Sequence, residues 1–465
     1  MKAINSIRMG AHEVLPLVEG GKGVSATNGM SSGAWAAAGG IGTVSAVNAD
    51  SYDENGDIIP QIYHGRTRDD RHEELVKYAI DGGVEQVKQA RELAGPDAAI
   101  NVNVLWEMGG AQRILEGIFE DEEAGAMVDG VTCGAGMPYK LAEISAKHGK
   151  YYYPIISSGR AFRALWKRSY SKHAEWLGAV VYEDPWLAGG HNGLSNAEDP
   201  KVPQDPFPRV KEVRDVMRAG GISDDVPIIM AGGVWYLREW EDWIGNPDLG
   251  TIAFQFGSRP LLTQESPIPA IWKERLPGLK EGDILLHPFS PTGFYSSAVK
   301  TPFLMEMQAR SERQIAFSSQ QCDHRTHKLD VGFKGNKTFW VTKDDLIHAR
   351  GWVAQGYEVA MKTPDDTLVF ETEAMSKILR KDQADCMGCL SQCKFSSWAE
   401  HNEKHSTGRL ADPRSFCIQK TLQDIAHGGD PDDNLMFAGH SAHHFSTDPF
   451  YSNGFVPTVK QLVDR

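Results

Sequence analysis

Two groups of residues in this chain have the types and spacing to do chemistry. The first centres on "EDPWLAGGHNG", residues 183–193, where His191 sits between paired glycines with a further glycine two positions on. An imidazole titrating near pH 6.5 can accept an acidic proton or orient an anion at neutral pH. Glycines let the main chain pass close to a ligand, although they also make ordinary turns. The second group is "DCMGCLSQCKF", which supplies Cys386, Cys389 and Cys393, with Cys417 following in "RSFCIQK". In a reducing compartment, closely spaced thiols point to a metal site more readily than to disulfides. Tetrahedral zinc and a [4Fe–4S] cluster are both open to a set of four thiolates.

The glycines of the first group belong to a series. They follow apolar runs in "VEGGKG" (18–23), "TCGAG" (132–136), "AGGHNG" (188–193), "MAGGV" (230–234) and "FQFGSR" (254–259). Such runs are the mark of parallel strands buried on both faces. Eight are expected, over 13–21, 40–47, 98–106, 125–134, 150–157, 176–184, 226–234 and 249–258, with helical patterns between most of them. About eight units in 250 residues fit a (β/α)8 TIM barrel better than an open doubly wound sheet. In that barrel the glycines share the C-terminal rim, where active sites are built, and the last two loops are the usual phosphate cradle.

The barrel is expected over residues 1–270, interrupted by a polar inserted loop or lid at 50–75. A smaller C-terminal domain, 271–465, carries the cysteine array and one strand–helix patch, "KTFWVTKDDLIHARGWVAQG". A net charge of −14 argues against a nucleic-acid partner, which needs clustered Lys and Arg. The start of the chain has no apolar export segment, and no run is convincing as a membrane span. A cytoplasmic protein with a small-molecule substrate is expected; the oligomeric state is open.

The ordered series "PLVEGGKG", "AAAGGIGTVSA", "NVNVLW", "TCGAGMP", "AGGHNG", "VPIIMAGGV" and "QFGSRPLLTQES" resembles the FMN-dependent barrels of the nitronate monooxygenase (2-nitropropane dioxygenase) family. It is similar, too, to bacterial flavin enoyl reductases. The resemblance implies an FMN whose phosphate sits at Gly232–Gly233 and Gly257–Ser258, with its ring against Gly20–Gly23 and Asn103 at the ring edge. Gly134, Ser158, Gly190 and Ala231 are assigned to the same cofactor site, and His191 would be catalytic beside the flavin. Lys22 stands where relatives often have an apolar residue; it either faces the flavin as a cation or snorkels away.

On this resemblance the expected activity is FMN-dependent oxidation of alkyl nitronates with O2. An NAD(P)H-fed double-bond reductase using an iron–sulfur cluster is the alternative, and a non-catalytic phosphate-ligand barrel is the third reading. The three-plus-one cysteine spacing resembles the cluster loop of iron–sulfur flavin reductases, with zinc as the other occupant. "CDHRTH" (Cys322, His324, His327) reads as an exposed polar loop. "FAGHSAHH" (His440, His443, His444) reads as a loop returning over the flavin pocket. Cys133 reads as a small buried residue.

Overall fold

The computed structural model describes residue 2, residues 4–332 and residues 337–465. Eight parallel strands close into a barrel: β1 (Leu17–Glu19), β2 (Ile41–Ser45), β3 (Ala99–Leu105), β4 (Gly130–Gly134), β5 (Tyr151–Ile156), β6 (Val180–Glu183), β7 (Ile228–Ala231) and β8 (Ile252–Phe256), which pairs back onto β1. Each lies inside an expected run. Helices α1 (Gly29–Ala37), α2 (Arg68–Ala94), α3 (Ala111–Glu120), α4 (Leu141–Lys147), α5 (Gly159–Arg168) and α6 (Pro206–Ala219) cover the outside. After β7 and β8 the connections are short 3-10 turns instead, Leu237–Trp243 and Arg259–Leu262.

The barrel interior is packed with side chains. Val18, Ile41, Ala99, Tyr153, Ala179, Val181, Ile229, Ala231 and Ala253 fill it, at alternate positions along their strands, as a period of two requires. A hairpin, Ile7–Met9 with His12–Val14, plugs the N-terminal end with Met9 and Val14. The larger glycine-lined cavity opens at the opposite rim.

The 50–75 segment is not wholly a loop. Thr67 caps α2 in a capping box with Asp70, so residues 68–75 are the first two turns of a 27-residue helix. Its charged start made it look like an insertion. Arg68 and Arg71 instead donate to the carbonyls of Ser396, Gln383, Cys386 and Ala384, anchoring the cysteine-rich segment.

Residues beyond the barrel do two things. Three short strands (Gln314–Ala316, Val359–Lys362, Thr367–Glu371), a hairpin (His327–Val331 with Lys337–Val341) and helix α7 (Lys343–Ala354) enclose a separate small core around Phe317, Phe339 and Phe370. The strand and helix expected in "KTFWVTKDDLIHARGWVAQG" are both present. Other segments return to the barrel. Ser296–Val299 pairs with Gly190–His191, and helix α8 (Ile418–Ala426) lies across the rim.

Candidate active site

The C-terminal rim opens into one large cavity, about 1630 Å³ with its mouth included. Gly20, Gly21, Lys22, Gly23, Asn103, Gly134, Gly190, His191, Ala231, Gly232, Gly233, Gly257 and Ser258 all line it. They come from the ends of six different strands. Ser158 does not: its hydroxyl is used as the N-cap of α5, accepting from Ala161 N–H.

The floor needs backbone that side chains would obstruct. A Cβ on Gly21 would come within 2.4 Å of the Asn103 Cβ, so only glycine lets β1 pass under Asn103. Gly232 and Gly233 have φ of +88° and +79°, a left-handed pair that residues with side chains rarely adopt. Ser258 Oγ accepts from Gly439 N–H at 2.7 Å, which ties the "FAGHSAHH" loop over the rim. His440 N–H bonds to the Leu187 carbonyl, so that loop does return across the pocket. The nearby cation Arg259 is engaged elsewhere, by Asp448, Tyr451 and the Trp235 carbonyl. Small residues and the Ser258 hydroxyl line this end of the cavity.

His191 is fixed from the C-terminal half of the chain. Its Nε2 lies 2.6 Å from Ser290 Oγ, which in turn lies 2.8 Å from Thr292 Oγ1, and Phe437 packs edge-on at 5.3 Å. Burial lowers its pKa to about 4, so the ring is neutral at pH 7. His287, on the same side, is lowered to about 3, mainly by burial.

Lys22 does not snorkel away. Its Nζ turns back to donate to the Gly20 carbonyl at 2.7 Å and stands 3.6 Å from the buried carboxylate of Glu19. Burial pushes the Glu19 carboxyl up and the Lys22 amine down, and each offsets part of the other's cost.

Sequence reasoning missed several lining groups. Glu183 ends β6 with its carboxyl at the cavity, and Gln255, Asn48 and Thr132 also face it. Buried oxygens Thr132 Oγ1 and Asn48 Oδ1 have no hydrogen-bond partner in the protein. Such orphans at a cavity wall call for a ligand or water. Of the roof, the sequence pointed to the "FAGHSAHH" loop but not to Met108, Leu390, Ile418, Leu422, Ile425 and Met436. The only available signal was the periodic apolar face of "IQKTLQDIA".

The cysteine array needs correction. Burial pushes the Cys389 thiol well above its ordinary value, with Cys417, Cys393 and Cys386 adding to the shift, so the four thiols are neighbours. Burial likewise pushes Cys393 and Cys417 to about 11 and about 12. Cys386 Sγ accepts from Ser396 Oγ and Gly388 N–H. Among the described residues, however, no three His, Cys, Asp or Glu side chains are placed to hold a metal ion. Cys386, Cys389 and Cys393 are buried, and Cys417 partly so, in the same hydrophobic cluster as Phe395 and Trp398, and neither a [4Fe–4S] cluster nor zinc is supported at these four residues. Cys322 is exposed, as expected, and Cys133 is fully buried. Among the described residues no helix is long and apolar enough to cross a membrane.

A closed parallel barrel with a glycine-lined cavity at its C-terminal rim is the scaffold of a (β/α)8 enzyme. Over residues 6–449 the sequence matches the nitronate monooxygenase family model, and the chain belongs to that family of oxidoreductases. No curated protein matches the sequence. Among solved structures, FabK from Thermotoga maritima is similar at 16% identity and a TM-score of 0.50, covering 97% of this chain and 90% of that one. The enoyl reductase domain of MlnA from the macrolactin biosynthesis cluster of Bacillus amyloliquefaciens is similar at 14% identity and a TM-score of 0.52, covering 97% and 92%. These likenesses establish the fold.

Proposed function

We propose that this protein is an FMN-dependent oxidoreductase that oxidises alkyl nitronates with O2. What supports this is the convergence of amides and small residues from six strand ends on a single cavity with unpartnered polar atoms in its wall. The residues fit the cofactor. N–H groups at Gly232, Gly233 and Gly257, with the Ser258 hydroxyl, would hold the phosphate. Gly20–Gly23 would take the ring, and Asn103 its polar edge. FMN, when bound, accepts the substrate's electrons and passes them on.

The chain's own residues then have defined work. Neutral His191, its Nε2 occupied by Ser290, is held as an orienting group at the substrate's position. The tail loops and α8 exclude bulk water. Lys22 pairs with Glu19 at the end of β1.

The roof favours a second reading. Its apolar side chains suit a substrate with a hydrocarbon chain, as a double-bond reductase fed by NAD(P)H would require. The enoyl reductase domain of MlnA shares the fold over nearly the whole chain. One experiment separates the two. The FMN-loaded protein is mixed anaerobically with a nitronate, or with NADH or NADPH, and flavin absorbance is followed. Bleaching by the nitronate alone supports the first reading; bleaching by a nicotinamide alone replaces it with the second. Protein that neither carries nor takes up FMN refutes both.

A further inference from the structure

Lys22 is the one lysine or arginine among the residues that line the cavity. Its position is tightly built. Gly21 passes under Asn103, and a Cβ on Gly23 would lie 2.5 Å from the Val47 Cβ, so the main chain on either side of Lys22 has no room to shift. Thr27 clamps Lys22 itself: its Oγ1 accepts the Lys22 N–H at 2.9 Å, and its own N–H donates to the Lys22 carbonyl at 3.1 Å. A protonated amine has three N–H donors. Among the described residues one of them is used, toward the Gly20 carbonyl at 2.7 Å, since Glu19 at 3.6 Å is beyond a good hydrogen bond.

The Lys22–Glu19 pair has a direction. Lys22 lines the cavity and keeps 16% of its side chain exposed, whereas Glu19 lies behind the wall with 1% exposed. Around that carboxyl stand neutral groups, Ser31 and Ser32 of α1 and Thr43 of β2, and Lys22 is the one charge acting on it. Neither Glu19 oxygen has a hydrogen-bond partner among the described residues. A buried ion pair this poorly supported does little for the fold that two apolar side chains would not do. What it adds is a positive end facing ligand space. The other titratable groups on the wall are uncharged at pH 7: burial raises Glu183 to about 8, lowers His191 to about 4 and pushes the Cys389 thiol well up.

Resting on the flavin oxidoreductase reading, we propose that Lys22 is a cation that tunes the redox balance of this site, favouring the reduced flavin ring as its anion, and that Glu19 is the positioning residue behind it. An electron pair from the oxidised substrate enters with one proton, which leaves one net negative charge. Lys22 balances that charge in place of a second proton. Burial lowers the Lys22 amine and Glu19 works against this; a negative charge arriving in the cavity acts in the same sense as Glu19.

The test uses FMN-loaded wild type and the Glu19→Gln/Lys22→Met double variant, which removes both charges together and strands neither. Anaerobic titrations give the affinities for oxidised and reduced FMN, and dye equilibration gives the midpoint potential at pH 7. In the double variant the ratio of reduced to oxidised affinity is expected to fall at least about tenfold, a midpoint potential lower by about 30 mV. A change in packing alone would move both affinities together and leave the potential in place. A second measurement needs no variant: with nitrogen-15-labelled FMN, the N1 resonance of the reduced wild type at pH 6 should be that of a deprotonated nitrogen. A ratio within twofold of wild type in the double variant, a protonated N1 in the wild type, or a higher KM for the nitronate with the ratio unchanged overturns the proposal and leaves the flavin reading standing. Protein that binds no FMN removes both.

Discussion

Adding one methyl group at Gly257 separates the cofactor site from the fold. A Cβ built there meets no protein atom within 4 Å, although the residue follows directly on β8 and lines the cavity. Its φ lies outside the left-handed range, so alanine adopts the same backbone without strain. Gly257→Ala should therefore leave the apoprotein as stable as before, or more stable by about 0.4–1 kcal/mol through the restricted unfolded chain. The methyl instead occupies space where we place the FMN phosphate. Overfilling a close-packed contact costs about 1–3 kcal/mol, which weakens FMN binding by about 5- to 150-fold. Quenching of FMN fluorescence gives the Kd, and thermal unfolding of the apoprotein gives the stability. Gly42→Ala is the control: its Cβ would lie 1.9 Å from the Ser32 carbonyl of α1, so unfolding should suffer first. A Gly257→Ala protein of normal stability whose FMN Kd stays within twofold of wild type would refute the placement of the phosphate.

Three other perturbations test the surrounding electrostatics. Lys22→Met strands the buried Glu19 charge and should cost about 3–5 kcal/mol of unfolding free energy; adding Glu19→Gln should recover most of it, and a denaturant titration that shows no recovery denies the pairing. His427, at the end of α8, is hydrogen-bonded to buried Asp50 at 3.0 Å, which raises the histidine's pKa. Its contribution is complete below pH 6.5 and is lost as pH rises through the higher folded value, so hydrogen-exchange protection of α8, corrected for the intrinsic pH effect, should decline over that range and not in His427→Gln. Exposed Cys322, whose thiol is lowered by the Ser318 hydroxyl, should alkylate about 10²-fold faster than Cys386, Cys389, Cys393 or Cys417 in the native protein; mass spectrometry of time points reads the order directly.

Much of the barrel was legible because its strands are buried on both faces. "AINVNVL" and "IIMA" carry their burial in composition alone, and the glycines after them mark where each strand must turn. The floor of the site was legible for the same reason. Ser158 was misplaced because a serine after a strand has two equally good uses, ligand contact and helix cap, and spacing does not separate them. The start of α2 was misplaced because Arg68, Asp69, Asp70 and Arg71 read as solvent-facing loop, whereas two of those guanidiniums are spent on carbonyls more than 300 residues away. The cysteines misled through spacing. Spacing in sequence brings thiols near one another, but whether three or more can face one metal ion is decided by the folded geometry, which no motif encodes.

The roof shows why the tail and the barrel must be read together. His191 reaches its position through a two-residue strand whose partner, Ser296–Ser297, comes from the tail, and its Nε2 is held by Ser290 from the same region. The glycine loop alone would leave the imidazole free to turn, since Gly189, Gly190 and Gly193 restrain little. Gly189 has no room for a Cβ because the backbone of Ala438 and Gly439 lies 2.6 Å from where it would sit, so the loop's glycines admit the tail as much as any ligand. That answers why the chain surrounds one histidine with glycines: they let a second segment pack directly on the loop and fix the ring from outside. Ser290, fully buried and bonded to both His191 and Thr292, is the residue through which that restraint acts.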